Sequence, residues 1–228
     1  MGKSDGVLMI IPGLMNGLMG RNNYGELVAG STSINGIQVG DLVLIFQSVS
    51  GSRSNGQAGG VGLPIVPSGY TRIATASSSG FDLSSPVWRY ISGQICFSIA
   101  TQAQIGQSIQ GLRTVLSMRH SDGRNLERLS LANRNAPYSG LKKAPLGFFQ
   151  GQIRSVGGLS DPDAPSLATI DGQDFSNSVL QTENNSGRRI RMRMALALGN
   201  RMREENLITY DSTGLFGADG GVWAVTAK

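Results

Sequence analysis

Histidine and cysteine each occur once in this chain, as His120 and Cys96. A single cysteine excludes an internal disulfide framework, and a single histidine excludes a zinc site built on several imidazoles. Charged residues make up only 15% of the sequence and aromatics 6%. With Lys and Glu so scarce, long solvated helices are not expected. Long hydrophobic runs are lacking as well. The most apolar stretch, VLMIIPGLMNGLMG (7–20), is interrupted by Pro12, Gly13, Asn16 and Gly17, well short of the ~20 residues of a membrane span. As a secretion signal it has no charged start beyond Lys3 and no small-x-small cleavage site. The expectation is an extended, apolar N-terminal arm over residues 1–35, with Met9, Ile10 and Ile11 as contact residues for neighbouring subunits, and no membrane partner.

What is abundant is glycine, 32 of 228 residues, about twice the usual share of roughly 7%. Such a chain spends its length on turns and short strands. Its net charge is +5, and sixteen of the twenty basic residues are arginines. A planar, weakly hydrated guanidinium loses less on burial than an ammonium, and arginine is enriched at protein interfaces. Protein partners are therefore expected ahead of nucleic acid.

Strand signals recur along residues 36–228, which are expected to form one domain. DLVLIFQSVS (41–50) is a near-continuous apolar run between glycines, YTRIATASSSG (70–80) follows a long glycine-rich loop, and PVWRYISGQ (86–94), ICFSIATQ (95–102) and GLRTVLSMRH (111–120) continue the pattern. After a poorly patterned stretch at about 121–165, expected to be a long irregular insertion, come SLATI (166–170), NSVLQT (177–182), RRIRMRMALALGNR (188–201), NLITYD (206–211) and GVWAVTA (221–227). Many short strands without intervening helices predict an all-β sandwich or barrel.

The arginine stretch settles by its period. Ile190, Met192, Met194, Leu196 and Leu198 fall on one face at every second residue, with Arg189, Arg191, Arg193, Ala195 and Ala197 on the other. A helix would scatter those arginines around its circumference. A strand is predicted, its apolar face in the core and its arginines at an interface, at least two of Arg189, Arg191 and Arg193 meeting acidic or carbonyl groups of another subunit or of the 121–165 segment.

Chemistry-bearing groupings are thin. Ser117, His120 and Asp122 lie close in SMRHSDG, but a triad gathers distant segments and local crowding does not make one. Asp211 in DSTG has an extra serine relative to an aspartic-protease signature and no second copy. Asp161 and Asp163, and Asp171 and Asp174, lack the dense array of a calcium loop and are expected in turns. The glycines of 51–69 are followed by Pro64 and by no Gly-Lys-Ser/Thr, so they make no phosphate cradle. The arginines do not interleave with aromatics as single-strand binding requires. No catalytic residues, metal or cofactor are assigned. Trp88 and Tyr90, two apart on one strand face, would form a sugar-stacking platform if the chain were a carbohydrate- or receptor-binding module of a phage fibre.

GDLVLIFQSV, then PSGYTRIATASSSG, VWRYISG, RMALALG and a closing GVWAV resemble a diffuse group of tailed-bacteriophage virion proteins. In that group a Gly-Asp-Leu-Val strand precedes a Pro-x-Gly-Tyr/Trp-Thr turn and a strand bearing Val-x-Tyr. The resemblance covers residues 36–100 and, more loosely, 190–228. It implies a jelly-roll-like β-sandwich, and a non-enzymatic decoration, neck or tail component. Such a component would be made in the host cytoplasm, reside in the virion and contact copies of itself and other virion proteins. Nucleic acid and small molecules are not expected as partners.

Overall fold

The structure is a computed structural model that describes residues 31–33, 39–54, 62–110, 112–118, 124–129, 134–138, 144–156, 164–175, 177–185, 188–198, 202–210 and 218–227. In chain order the strands are β1 (Ser31–Ser33), β2 (Leu42–Ser54), β3 (Thr71–Asp82), β4 (Val87–Ile99) and β5 (Ser108–Gln110). There follow β6 (Leu112–Met118), β7 (Arg124–Leu129), β8 (Arg134–Tyr138), β9 (Gly147–Val156) and β10 (Thr169–Ile170). The last are β11 (Gln173–Asp174), β12 (Asn177–Asn185), β13 (Arg188–Leu198), β14 (Asn206–Tyr210) and β15 (Ala218–Ala227). The described residues contain no helix, and the expected all-β sandwich is present.

Three antiparallel sheets form layers. A front sheet has the order β3-β4-β2-β6, a central sheet β12-β13-β9-β15-β7 and a back sheet β11-β10-β14-β8; β1 and β5 form a small separate pair. Chain halves, rather than alternation between layers, divide the sheets: the front sheet is complete by β6 and the other two follow it. The main core lies between front and central sheets and is built from Leu42, Leu44, Phe46, Ile91 and Ile95 against Phe149, Ile153, Ile190, Met192, Met194, Leu196 and Trp223. A second core fills the space between central and back sheets, where Phe148, Ala195, Ala197, Val222 and Ala224 meet Tyr138, Ile170, Phe175, Ile208 and Tyr210. The central sheet is thus apolar on both faces over part of its length.

Several expectations are corrected. Residues 86–102 hold one strand, β4, where two were expected. Gly93, within that strand, marks a close approach: a Cβ there would lie 2.6 Å from Ile190 Cδ1 and 2.9 Å from Ile153 Cδ1. The 121–165 segment is not an irregular insertion. It contains β7, β8 and the whole of β9, the middle strand of the central sheet, paired to β13 on one side and β15 on the other. Of 166–170 only Thr169–Ile170 is strand. Within the expected arm, Ser31–Ser33 pair with Ser108–Gln110 as β1 and β5; Met9, Ile10 and Ile11 lie outside the described residues.

Turn chemistry follows the residues. In PSGY, Tyr70 N donates to Pro67 O at 3.1 Å and Gly69 takes φ +81°, as the third position of a type II turn requires. In IDGQ, Asp171 and Gly172 have φ of 49° and 79° and join β10 to β11, the pair of left-handed residues of a type I′ hairpin.

Candidate functional site

Two surfaces carry the polar and apolar groups that the cores do not absorb. The first is the back-facing side of the central sheet beyond the second core. Arg189, Arg191 and Arg193 project there from β13 at every second position, and Arg191 stands directly opposite Arg154 of β9. Directly paired residues on one face lie roughly 5 Å apart at Cβ, so these guanidinium groups are crowded. Arg154 is buried and the other three are half-buried. Arg193 shows how one of them is held. Its Nε donates to Pro165 O at 2.7 Å and its Nη1 to Ser178 Oγ at 3.3 Å. Burial pulls the Arg193 pKa down, and the nearby Asp174 carboxylate pushes it back up. The carbonyl lies at the end of the 121–165 segment, one of the two places where such a partner was expected.

Beside it the buried Gln150 works as an artificial strand edge. Its Nε2 donates to Ser166 O at 2.7 Å and its Oε1 accepts from Ala168 N at 2.8 Å. This pins 164–168 across the sheet and separates the apolar half of the face from the arginine half.

The second surface is the outer face of the front sheet. The even-numbered residues of β4 and the odd-numbered residues of β2 point outwards, because their neighbours Ile91, Ile95, Leu42, Leu44 and Phe46 point into the main core. At one end Val43, Ile45 and Cys96 pack with Tyr70, Ala100 and Ile109. Burial pushes the Cys96 thiol up to about 11 and, with the neighbouring Cys96, the Tyr70 hydroxyl up to about 12. Next comes an amide row. Gln94 Nε2 donates to Gln47 Oε1 at 2.9 Å and to Ile65 O at 3.3 Å, while Arg72 donates from Nε to Gln94 Oε1 at 2.6 Å and from Nη2 to Pro64 O at 3.1 Å. These bonds hold the 62–67 loop upright against the sheet. Between that loop, β2 and β5 lies an open groove of about 530 Å³, lined by Gln47, Val49, Leu63, Pro64, Ile65, Pro67, Gln107, Ser108 and Ile109. Gln107 Oε1 is buried there with no hydrogen-bond partner.

At the far end of the same face, Trp88 stacks on Tyr90 with ring centroids 6.4 Å apart and planes at 21°, and Phe81 meets Trp88 edge-on at 5.8 Å. The two residues expected as a sugar platform do share a face. Tyr90, however, is only 3% exposed, so the open end of the ladder is Trp88 and Phe81. Beyond them the β3–β4 turn presents Leu83. Asp82 braces this turn: its Oδ1 accepts from Ser84 N at 3.0 Å and Ser84 Oγ at 2.6 Å, and its Oδ2 from Arg89 Nε at 3.4 Å. The Ser84 hydrogen bonds, helped by Arg89, hold the Asp82 carboxyl below its ordinary range.

The remaining candidates are dispersed. Asp171 Oδ1 accepts from Leu207 N at 2.8 Å and its Oδ2 from Asn206 Nδ2 at 3.0 Å, so its carboxylate secures a turn, as expected for it. Ser117 is in β6, while His120, Asp122, Asp161, Asp163 and Asp211 lie outside the described residues. Among the described residues no three His, Cys, Asp or Glu side chains gather as a metal site needs, and no helix is long and apolar enough to cross a membrane. Sequence reasoning missed the groove and the Leu83 turn altogether. The groove walls come from three separate stretches of chain, and an isolated leucine in a serine-rich turn carries no periodic signal.

The class of protein that these layers define is an antiparallel β-sandwich with a third sheet on one side. Comparison with protein-family models, curated proteins and solved structures returns no match for the chain.

Proposed function

We propose that this chain is a non-enzymatic structural subunit of a tailed-bacteriophage particle, a decoration, neck or tail-associated protein that assembles with copies of itself and with other virion proteins. The phage assignment comes from the resemblance of residues 36–100 and 190–228. The observation that carries the assembly role is the outer face of the front sheet, which bears an apolar groove at one end and exposed apolar side chains on a braced turn at the other. Apolar side chains held exposed at two places on one face are what a protein contact covers. Arginine-rich basicity and low overall charge favour the same role.

Immunogold labelling of purified particles with antibody against the chain tests the reading. Gold at a fixed position on the particle is expected. Unlabelled particles, together with a chain that stays monomeric and binds no virion protein in cross-linking, would overturn it.

A further inference from the structure

Strand β2 is covered on one side along its whole length and on the other along half of it. It pairs with β4 from Leu42 to Ser54, whereas β6 reaches only Leu42–Gln47. The pairing with β6 ends at a bulge: Phe46 faces Thr114, Gln47 faces Leu112, and Arg113 is skipped. A bulge bends its strand and can terminate pairing. Beyond it β5, separated from β6 by residue 111 alone, pairs with β1 and not with β2. Among the described residues, Ser48–Ser54 is therefore a sheet edge with no strand laid on it. Unpaired N–H and C=O groups line such an edge, and proteins cover it or blunt it with Lys, Pro or bulges. SVSGSRS (48–54) has neither Lys nor Pro, and its register with β4 is unbroken.

The opening between β2 and the departing β5 is the groove of about 530 Å³. Ligand-holding clefts run to roughly 300–1,000 Å³, so it accepts several side chains at once. Val49 stands on one wall, with Leu63, Pro64, Ile65, Pro67 and Ile109 around it. An edge that offers main-chain hydrogen bonds thus lies beside an apolar slot. Together they fit one kind of occupant, an extended apolar strand whose backbone pairs with the edge while alternate side chains fill the slot.

We infer that this strand is Val7–Ile11 of the same chain. The chain upstream of Ser31 sets out from the groove's own wall, because Ser31–Ser33 pair with Ser108–Gln110, and Ser108 and Ile109 line the groove. The docking continues a strand addition that β1 has already made. VLMII (7–11) is uncharged and wholly apolar, and Pro12 follows it, which ends a strand because it has no N–H to give to a ladder. Residues 12–30 extend to at most roughly 60–70 Å, ample for a return to the wall where Ser31 is paired. A tether of this kind gives an effective concentration on the order of millimolar, so the chain's own segment is favoured over a neighbour's. This goes beyond the assembly reading: it says what fills the groove in the single chain, and a neighbouring subunit meets the groove already filled.

Hydrogen exchange on the full chain is the test. In wild type the amides of Ser48–Ser54 that point away from β4 should be protected. The double variant Met9→Asp with Ile10→Asp spoils both faces of the segment, and Ile65→Asp spoils the slot at an exposed side chain. Each should speed exchange at those amides about tenfold or more, while Leu42–Gln47, which keep both neighbours, stay unchanged. Leu83→Asp, outside the groove, should change neither set. In a second measurement, Met9→Cys or Ile10→Cys is combined with Ile65→Cys and oxidised mildly at high dilution, with Cys96 buried and out of reach. One of the two pairs should close a disulfide within the chain. Edge amides that are unprotected in wild type, or indifferent to the double variant, would overturn the inference. So would disulfides that form only between chains, which would give the groove to a neighbour's segment. A double variant that no longer folds would place Met9 and Ile10 in a core and overturn it as well.

Discussion

On β13, the face formed by Ile190, Met192, Met194 and Leu196 lies wholly inside the main core, whereas the opposite face changes character along its length. Ala195 and Ala197 are fully buried in the second core, and Arg193, Arg191 and Arg189 continue the same row into a half-buried, polar region. The difference teaches what a third layer does to a strand. Where the back sheet covers the central one, β13 contributes only the small Ala195 and Ala197, packed beside the large Phe148 of β9. Where its cover gives way to the 164–168 segment, the Arg193 guanidinium finds a carbonyl acceptor on that segment, Pro165 O, and a hydroxyl acceptor on β12, Ser178 Oγ.

The most severe way to break this division is to extend the arginine row by one more repeat. Ala197→Arg puts a guanidinium into a fully buried site among Phe148, Ile208 and Tyr210. A buried charge without compensation costs roughly 3–5 kcal/mol, a large part of a typical stability of about 5–15 kcal/mol. The variant should lose most of its cooperative unfolding transition in urea at neutral pH. A midpoint close to wild type would show that the back sheet is not closed over this position.

A smaller loss is expected on the other face. Leu196→Ala removes a fully buried side chain from the main core and should cost roughly 2–5 kcal/mol. For a chain of this size that is about 4–20 °C in Tm. A calorimetric scan with no shift would place Leu196 outside the core and undo the strand assignment.

Much of this contrast was visible in the sequence, and the reasons for the rest are physical. The period of two along 189–198 placed every arginine on one face and every apolar residue on the other, because a strand buried on one side leaves that trace. It did not reveal that Ala195 and Ala197 face a second core, since small residues look alike in a core and at a surface. β9 was unreadable for a related reason. GFFQGQIRSV has no solvent face, and its back-facing Gln150, Gln152 and Arg154 are buried polar groups, so the usual alternation of apolar with exposed polar residues is absent. The sequence divided β4 between Gln94 and Ile95, where no turn residue stands; Gly93 beside that point is glycine because close packing against Ile190 and Ile153 excludes a side chain there. The two ends of the outer face depend on segments that meet only after folding, and no spacing in the chain announces them.

The boundary between the two halves of the polar face is itself testable through Gln150. Gln150→Leu keeps the volume but leaves the buried Ala168 N–H without its acceptor, at a cost of about 1–3 kcal/mol. The loss should be local as well as global. Hydrogen exchange at the amide of Ala168 should accelerate more than at the amides of the main-core strand β2, which keep their ladder partners. Uniform acceleration would mean that 164–168 is fixed by something other than this side chain.

The mildest change is Arg193→Lys, which keeps the charge and removes the fork. Arg193 reaches two acceptors at once, Pro165 O through Nε and Ser178 Oγ through Nη1. An ammonium on a flexible stem is a compact, more strongly hydrated charge and does not reproduce that planar geometry. Burial already works against the charged form here, as the lowered Arg193 pKa indicates, and a better-hydrated cation has more to lose at the same place. The expected cost is about 1 kcal/mol, in the range of one net hydrogen bond, read as a small fall in the urea midpoint with an unchanged slope. Arg193→Gln, which can still donate hydrogen bonds but carries no charge, separates the two contributions. If Lys is as stable as wild type while Gln is not, charge alone matters at this position and the fork to Pro165 is incidental. If Lys and Gln fall together, the carbonyl and hydroxyl contacts hold the margin between core and arginine row.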